Sequence, residues 1–387
     1  MRGLLVWVAG AISLAPLVAG NAWAQTPQPF DVAQARTVPT AAASGEAAIV
    51  ARTNAWTVSI ASGLLEGTFS RFAAELAKAL DDGDNLRVLP IITYGAAENL
   101  SDLLYLKGID MAITHADVFD EFKRNRRAAN LEQRINYISQ MYVGELHVFA
   151  RHDIKSLKDL EGKKVGFHTR GAGPTVTGPI LFSRLGIKVE PVFINNAIAI
   201  EKMKTGEIAA ILHTVGKPNI LFANLTSDVG HFLPVEYGEK FADYYVPSTL
   251  GYEDYPNLFE PGEKIDTIGI PVVLAVYNWP EGHDRHRRVE RFIERYFTHF
   301  DTLRKPPYHP KWKEINLAAN VPGWNRYFVA QRLLDQMQPA TAAAGIDPDL
   351  ARSQAARVAP NDRAEQERLF QEFLAWSRQR ARRQARQ

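Results

Sequence analysis

Two stretches carry side chains able to do acid–base chemistry. In "THADV", His115 and Asp117 stand at the end of a strand-like run, and in "HDRH", His283 and His286 are i,i+3 neighbours. A catalytic pair needs a base held beside a nucleophile or a second acid, and a metal site needs several converging ligands. Neither stretch supplies the further member. His283 and His286 open a polar, Arg-rich helix and read as a solvated face. The chain has no cysteine and no HExxH, GxSxG or Walker sequence. His115 and Asp117 are therefore expected to touch a ligand or to pack behind one, with no catalytic residue, cofactor or metal. An enzyme working through these two and neighbouring carboxylates remains the alternative.

A different chemistry recurs in three glycine-containing turns, "ASGLLEGTF", "TYGAAEN" and "TRGAGPT", each between a strand-like and a helix-like run. The first amides of a helix have no partner within it and lie at the positive end of its dipole, and glycine lets a ligand approach that backbone. Such an end binds an anion. The candidate contacts are Gly63, Leu64, Gly67, Thr68 and Phe69 in the first turn, and Tyr94, Gly95, Ala96 and Asn99 in the second. The third offers Arg170, Gly171, Ala172, Gly173 and Thr175, with Pro174 suited to the first helical position. Ordinary capping explains any one turn alone. Three of them at the carboxyl ends of strands bound a crevice suited to a small carboxylate. Arg170 either adds a bidentate contact to that carboxylate or lies on the surface. Glu66, if turned inward, repels a dicarboxylate and suits a ligand with an amino group, such as glutamate.

For these turns to face one another, strands and helices must alternate. "WTVSIA", "NLRVLPII" and "IDMAIT" read as strands separated by the helices "FSRFAAELAKAL" and "AENLSDLLYLKG". The same order returns in "KKVGFH", "PTVTGPILFSRLG", "VEPVFI", "AIAIEKMKTG" and "EIAAILH". The expected class is α/β, with two lobes, each a mostly parallel sheet flanked by helices. The first lobe is expected over 55–149 and the second over 150–245. A return to the first follows over 246–310, through "KIDTIGIPVVLAVYNW" and the amphipathic helix "RHRRVERFIERYFTHF". Hinges are expected near 150–151 and 246–250. A helical extension over 311–387 ends in an Arg-rich tip, read as a solvated helix end rather than an anionic membrane contact. Its Trp312, Trp324 and Tyr327 are expected to pack on a lobe or to form a docking surface.

Lys and Arg (45) nearly balance Asp and Glu (43) in a chain of 387 residues, which gives no electrostatic case for nucleic acid. Met1 and Arg2 precede an apolar run broken by Pro16 and closed by Ala22, Trp23 and Ala24. This is the pattern of a secretory signal over 1–24, cleaved after Ala24, with an N-terminal anchor as the alternative. Residues 25–54, rich in Ala, Pro, Thr and Gln, read as a flexible leader. No later stretch approaches a membrane span. An exported chain without cysteine folds on its core alone, and a bacterial periplasm fits best.

The stretches "IASGLLEGTFSRFAAELAKAL", "YGAAENLSDLLYLKGIDMAITHADV", "ELHVFARHDIKSLKDLEGKKVGF", "GKPN" at 216–219, "YYVPSTL" at 244–250 and "TIGIPVVLAV" have a characteristic order and spacing. Over about residues 56–300 the chain resembles the TAXI solute receptors of TRAP transporters. The resemblance implies a type II periplasmic binding protein whose two lobes close on a small organic anion: a dicarboxylate, a 2-oxoacid or an acidic amino acid. It implies delivery of that ligand to TRAP permease subunits in the membrane. It adds Tyr142, Gly216 and Tyr245 to the candidate contacts, beside Pro218, Asn219 and Pro247, and turns Asp117 toward the cleft. Ala96 and Ala172 stand where such receptors usually carry Ser, Pro174 where Thr is usual and His115 where Gln is usual, and "LLE" at 64–66 is bulkier. The lost hydroxyls leave backbone amides, Thr68 and Thr175 as the main donors, so an unusual ligand is expected. The alternatives are a receptor for an ABC importer or sensor kinase, or an interaction module that has lost its ligand.

Overall fold

The computed structural model describes residues 42–126 and 128–343, with Gln366, Arg368 and Phe370. The expected signal (1–24) and most of the expected C-terminal extension lie outside them. Of the chain up to Ile49, residues 42–49 are described, as the start of helix α1 (Ala42–Ala55). A helix stands here in place of the end of the expected leader. Its sequence, "AASGEAAIVARTNA", has the helix propensity of alanine without the apolar period by which a helix is recognised.

Strands and helices then alternate: β1 (Thr57–Ala61), α2 (Thr68–Leu80), β2 (Arg87–Ile91), α3 (Ala96–Tyr105), β3 (Met111–His115) and α4 (Ala116–Arg124). After the short α5 (Leu131–Arg134) comes the long strand β4 (Ile135–Ala150). A second alternation follows, of β5 (Lys164–Gly166), α6 (Pro174–Leu185), β6 (Glu190–Val192), α7 (Asn196–Lys204) and β7 (Ala210–Val215). The short α8 (Ile220–Ala223), β8 (His231–Phe232) and β9 (Val246–Gly251) lead into the second long strand, β10 (Lys264–Tyr277). Helices α9 (Asp284–Thr298), α10 (Phe300–Leu303) and α11 (Phe328–Ala343) follow.

The strands join in the order β2-β1-β3-β10-β4-β7-β5-β6, with β8 on β4 and β9 on β10. β1 is parallel to β2 and β3, and β5 is parallel to β6 and β7. β10 and β4 are antiparallel to every neighbour. Each half thus repeats one plan: three parallel strands with the first in the middle, and a long antiparallel strand beside the third. The three parallel strands of each half are as expected, and the long antiparallel strands make the whole sheet mixed. The parallel strands come from β-α-β units, which leave a periodic signature, whereas the direction of β4 and β10 is set by where the chain returns.

The apolar core shows where one lobe ends. On β4, Ile138, Met141 and Tyr142 join the core of the first lobe, while Leu146, Val148 and Ala150 join that of the second. On β10, Ile268 and Ile270 belong to the second lobe and residues 272–276 to the first. The chain therefore changes lobe in mid-strand, at 143–145 and at Pro271, not at 150–151 and 246–250. Those expected hinges sit at strand ends, which carry turn signals; a strand that continues across a boundary carries none. The pairing of β10 with β4 slips between Pro271 and Val273, where proline has no amide to donate. On the other strand, the buried Glu145 carboxylate accepts from Lys311 Nζ at 2.8 Å and from the Lys217 amide at 2.9 Å.

The described part of 311–343 completes the first lobe. Trp312 stacks on Phe72 of α2 with centroids 4.4 Å apart, and its Nε1 donates to Glu75 at 2.6 Å. Trp324 stacks on Phe119 of α4 at 3.9 Å, and the Tyr327 hydroxyl meets His286 of α9 at 2.8 Å. No helix among the described residues is long and apolar enough to cross a membrane. Trp312→Ala should leave a cavity beside Phe72 and lower stability by about 3–5 kcal/mol, read from the urea midpoint. A loss below about 1 kcal/mol would show that this segment is not part of the core.

Candidate functional site

The carboxyl ends of the parallel strands in both lobes converge on a cavity of about 50 Å³, room for about four water molecules. From the first lobe it is lined by Gly63, Leu64, Glu66 and Gly67 to Phe69 after β1, by Tyr94 to Ala96 after β2, and by His115 at the end of β3. The second lobe contributes His168 after β5, Ala172 to Pro174 at the start of α6, and His213 to Val215 on β7. Tyr142 enters from β4, one residue before the strand changes lobe.

Four sets of bonds hold the lobes shut over this space. The Thr68 hydroxyl accepts from the Gly216 amide at 3.1 Å and donates to its carbonyl at 3.3 Å. The Ala97 and Glu98 amides, at the start of α3, both donate to the Gly171 carbonyl at 3.0 Å. One Asp117 oxygen accepts from the Thr177 hydroxyl at 2.6 Å and from Tyr245 at 3.1 Å. At the exposed rim, Glu66 accepts from the Asn195 side chain through its carboxylate and from Asn219 through its carbonyl, both at 3.1 Å. The backbones meet closely between these bonds. A Cβ on Gly173 would lie 2.5 Å from the His115 ring and 2.6 Å from the Thr214 hydroxyl, and one on Gly95 (φ +127°) would lie 3.3 Å from the Ala172 Cα.

The three glycine turns therefore meet, but not as three open anion sites. The α3 amides are taken by Gly171. At the start of α6, the Thr175 amide donates to the Ala172 carbonyl at 3.2 Å and the Val176 amide to Gly173 at 2.9 Å. The Thr175 hydroxyl also gives its proton to Ala172, and that of Thr68 is engaged with Gly216. Gly171, Thr175, Gly216, Asp117 and Tyr245 belong to the seam around the cavity and do not line it. Asn99 lies deeper in the first lobe, donating to the Ser62 and Ile113 carbonyls at 2.5 and 2.7 Å. Arg170 stacks over Phe193 at 4.1 Å, in a neighbouring recess that it shares with Glu98.

Apart from Glu66 at the rim, the polar lining is uncharged. Both ring nitrogens of His115, both of His213, the Tyr142 hydroxyl and the Thr214 hydroxyl are buried with no hydrogen-bond partner among the described residues. Burial draws His115 down to about 3 and His168 down to about 4, the latter against the pull of Glu66. His213 is lowered well below its ordinary value by burial, reinforced by His168, His147 and His115. At neutral pH all three imidazoles are neutral. No Lys or Arg is among the lining residues, and Glu66 is the one carboxylate there. His168 also holds a left-handed backbone, φ +64°, which disfavours a side-chain-bearing residue by about 1–2 kcal/mol.

Asp117 is pushed up to about 6 by burial, and its second oxygen has no partner. Neither His115 nitrogen bonds it, so the two do not form an acid–base pair in this geometry. No group of three or more His, Asp or Glu side chains among the described residues is placed to hold a metal ion.

His168, His213 and Thr214 are lining residues that the glycine turns do not reveal. Their signal lies in "KKVGFH" and "EIAAILH", two strand-like runs that end in histidine as β3 does. In an α/β sheet those ends face the ligand crevice.

Acid should weaken the fold through these histidines. His115 and His147, both drawn down to about 3 by burial, take up a proton near 6.5 when unfolded but not when folded. The stability they contribute is complete above 6.5 and is lost as pH falls toward 3, by about 2 kcal/mol for each at pH 5. Asp117, raised to about 6, acts in the opposite sense, because its buried charge is relieved as pH falls through that value. The histidines outweigh it, so the Tm should be lower at pH 5 than at pH 7. An equal or higher Tm at pH 5 would contradict the neutral, buried state of these rings.

The sequence matches the NMT1-like family over residues 60–282, a span that runs from within β1 past the end of β10 and includes every cavity residue. No curated protein matches it. Among solved structures it is similar to the periplasmic binding protein BugD, at 14% identity over 73% of this chain and 94% of that one, with a TM-score of 0.45. A protein from Bordetella bronchiseptica RB50 is similar at 13% identity over 67% of this chain and 76% of its own, with a TM-score of 0.44. The periplasmic aliphatic sulphonate binding protein SsuA from Escherichia coli is similar at 17% identity over 41% and 54%, with a TM-score of 0.29. At such identities and TM-scores the assignment rests on the family match and on the strand order. With the second lobe, most of the sheet of the first and the whole cavity inside the matched span, the chain belongs to the NMT1-like family, of periplasmic binding protein type II-like fold.

Proposed function

We propose that the protein is a periplasmic solute-binding receptor that captures a small organic acid between its lobes and delivers it to a TRAP-type membrane permease. The observation that carries this reading is the cavity. Polar atoms from both lobes are buried around it without protein partners. Each such atom left unpaired costs about 1–3 kcal/mol, so this arrangement suits a ligand that supplies the partners. The family match supports a binding receptor. The acid class, the permease, and export with cleavage after Ala24 rest on the resemblance of the quoted stretches to TAXI receptors. Glu66, which lines the cavity at its rim, favours an acidic amino acid such as glutamate over a dicarboxylate.

The receptor works as an open–closed equilibrium. A ligand held first by one lobe gains the contacts of the other only on closure, so it shifts the population toward the closed form. A second reading, an uncharged solute, is favoured by the absence of Lys and Arg from the lining.

A thermal-shift panel of short-chain dicarboxylates, 2-oxoacids and amino acids, with their uncharged amides, tests both readings. At a ligand concentration of about 100 times Kd, binding adds about 2.7 kcal/mol, a rise of several degrees for one acid. A rise with amides alone would replace the acid reading by the uncharged one. Gly173→Ala, which forces a methyl group against His115, should hold the lobes apart and abolish the rise. A full rise in that variant would place the ligand elsewhere.

A further inference from the structure

We propose that an acid ligand enters the cavity together with one proton, so that the closed complex holds a neutral acid–imidazole assembly rather than a bare anion. The inference rests on the organic-acid reading above and concerns the chemistry of the same site.

The donors and acceptors of the lining do not balance against a bare carboxylate. A neutral imidazole presents one N–H and one lone pair. His115 and His213 have all their ring nitrogens unpaired, so together they hold two donors and two acceptors without protein partners. The Tyr142 and Thr214 hydroxyls serve as either. A carboxylate only accepts. It satisfies the N–H groups and hydroxyls but leaves both buried imidazole lone pairs without a partner from the ligand. One added proton supplies a donor for one of those lone pairs, as imidazolium facing carboxylate or as carboxylic acid facing imidazole. The same proton cancels the charge of the ligand, which nothing in the lining otherwise offsets.

The geometry brings these groups to one place. His115 Nδ1 and Thr214 Oγ1 each lie 2.6 Å from the point that a Gly173 Cβ would occupy. The Phe69 ring meets His115 edge-on at 5.1 Å, and the rings of His168 and His213 are 5.1 Å apart. The ionisable groups around the two histidines are Glu66 from the first turn, Asp117 from α4, Tyr142 and His147 from β4, and His168 from the end of β5. None is cationic at neutral pH. The nearby cations are matched elsewhere, Lys311 by Glu145 at 2.8 Å and Lys217 by Asp254 at 3.0 Å. Both carboxylates near the cavity, Glu66 and Asp117, add to the preference for a bound proton.

The proton is drawn from the buffer, so calorimetry counts it. Pyruvate, succinate, 2-oxoglutarate and L-glutamate are each titrated into the full mature protein in phosphate, HEPES and Tris, buffers of different ionisation enthalpy. For the acid that binds, the apparent enthalpy should rise with buffer ionisation enthalpy with a slope of about one, and its Kd should weaken about tenfold between about pH 7 and 8. In His115→Gln or His213→Gln the slope should fall, whereas Asp117→Asn should keep it. An acid that binds with a slope near zero and a pH-independent Kd overturns proton uptake and leaves the organic-acid reading intact. A slope unchanged in both histidine variants but lost in Asp117→Asn overturns the imidazole assignment. If none of the four acids binds while an uncharged amide does, the organic-acid reading falls and proton uptake falls with it.

Discussion

Gly173 stands where any side chain would collide with the His115 ring, at 2.5 Å, and with the Thr214 hydroxyl, at 2.6 Å. The two lobes consequently meet through backbone, and the rest of the site follows from that approach. The Gly171 carbonyl can reach the first amides of α3 because the neighbouring turns are this close. Thr68 can bond Gly216, and the Asp117 carboxylate can receive two hydroxyls from the facing lobe. What remains between the lobes is a small space in which the His115 and His213 ring nitrogens are buried. In such a space hydrogen bonds are strong and unpaired polar groups are costly.

Two effects compete over the histidines. Burial disfavours the charged imidazole, while a nearby carboxylate favours it. In the absence of ligand burial wins, because Glu66 lies at the exposed rim and Asp117 shares its charge with Thr177 and Tyr245. A ligand carboxylate inside the cavity would change that balance directly, being closer and equally dry. On the proton-uptake proposal, the site compensates one negative charge without a permanent cation, since no Lys or Arg lines it.

Much of the fold was legible in the order of strand-like and helix-like runs. Both β-α-β alternations and the turns before α2, α3 and α6 lie where the pattern places them. The long strands hid the rest. β4 and β10 are buried on both faces, so they carry no alternation to mark a surface, and each crosses from one lobe to the other without a turn. Their antiparallel direction made the sheet mixed, and their crossings moved the lobe boundary to 143–145 and Pro271. The glycines mark places where a ligand could come close to the backbone; in this structure the facing lobe comes close to Gly95 and Gly173, with Thr214 also beside Gly173. The small side chains of Ala96 and Ala172 fit that approach, since the Gly95 Cβ position already lies 3.3 Å from the Ala172 backbone. His168 and His213 were visible as strand ends, yet a histidine in an apolar strand gives no sign that its nitrogens lack partners, as those of His213 do. That depends on the long-range packing of β7 against β4.

The central claim is that a small molecule occupies the cavity between the lobes and that closure depends on Gly173. Native mass spectrometry of the protein purified without denaturation, beside Gly173→Ala prepared in the same way, tests it most directly. The account predicts one small adduct on the wild-type protein, released on denaturation, and none on the variant. The same adduct at the same occupancy on both would contradict it.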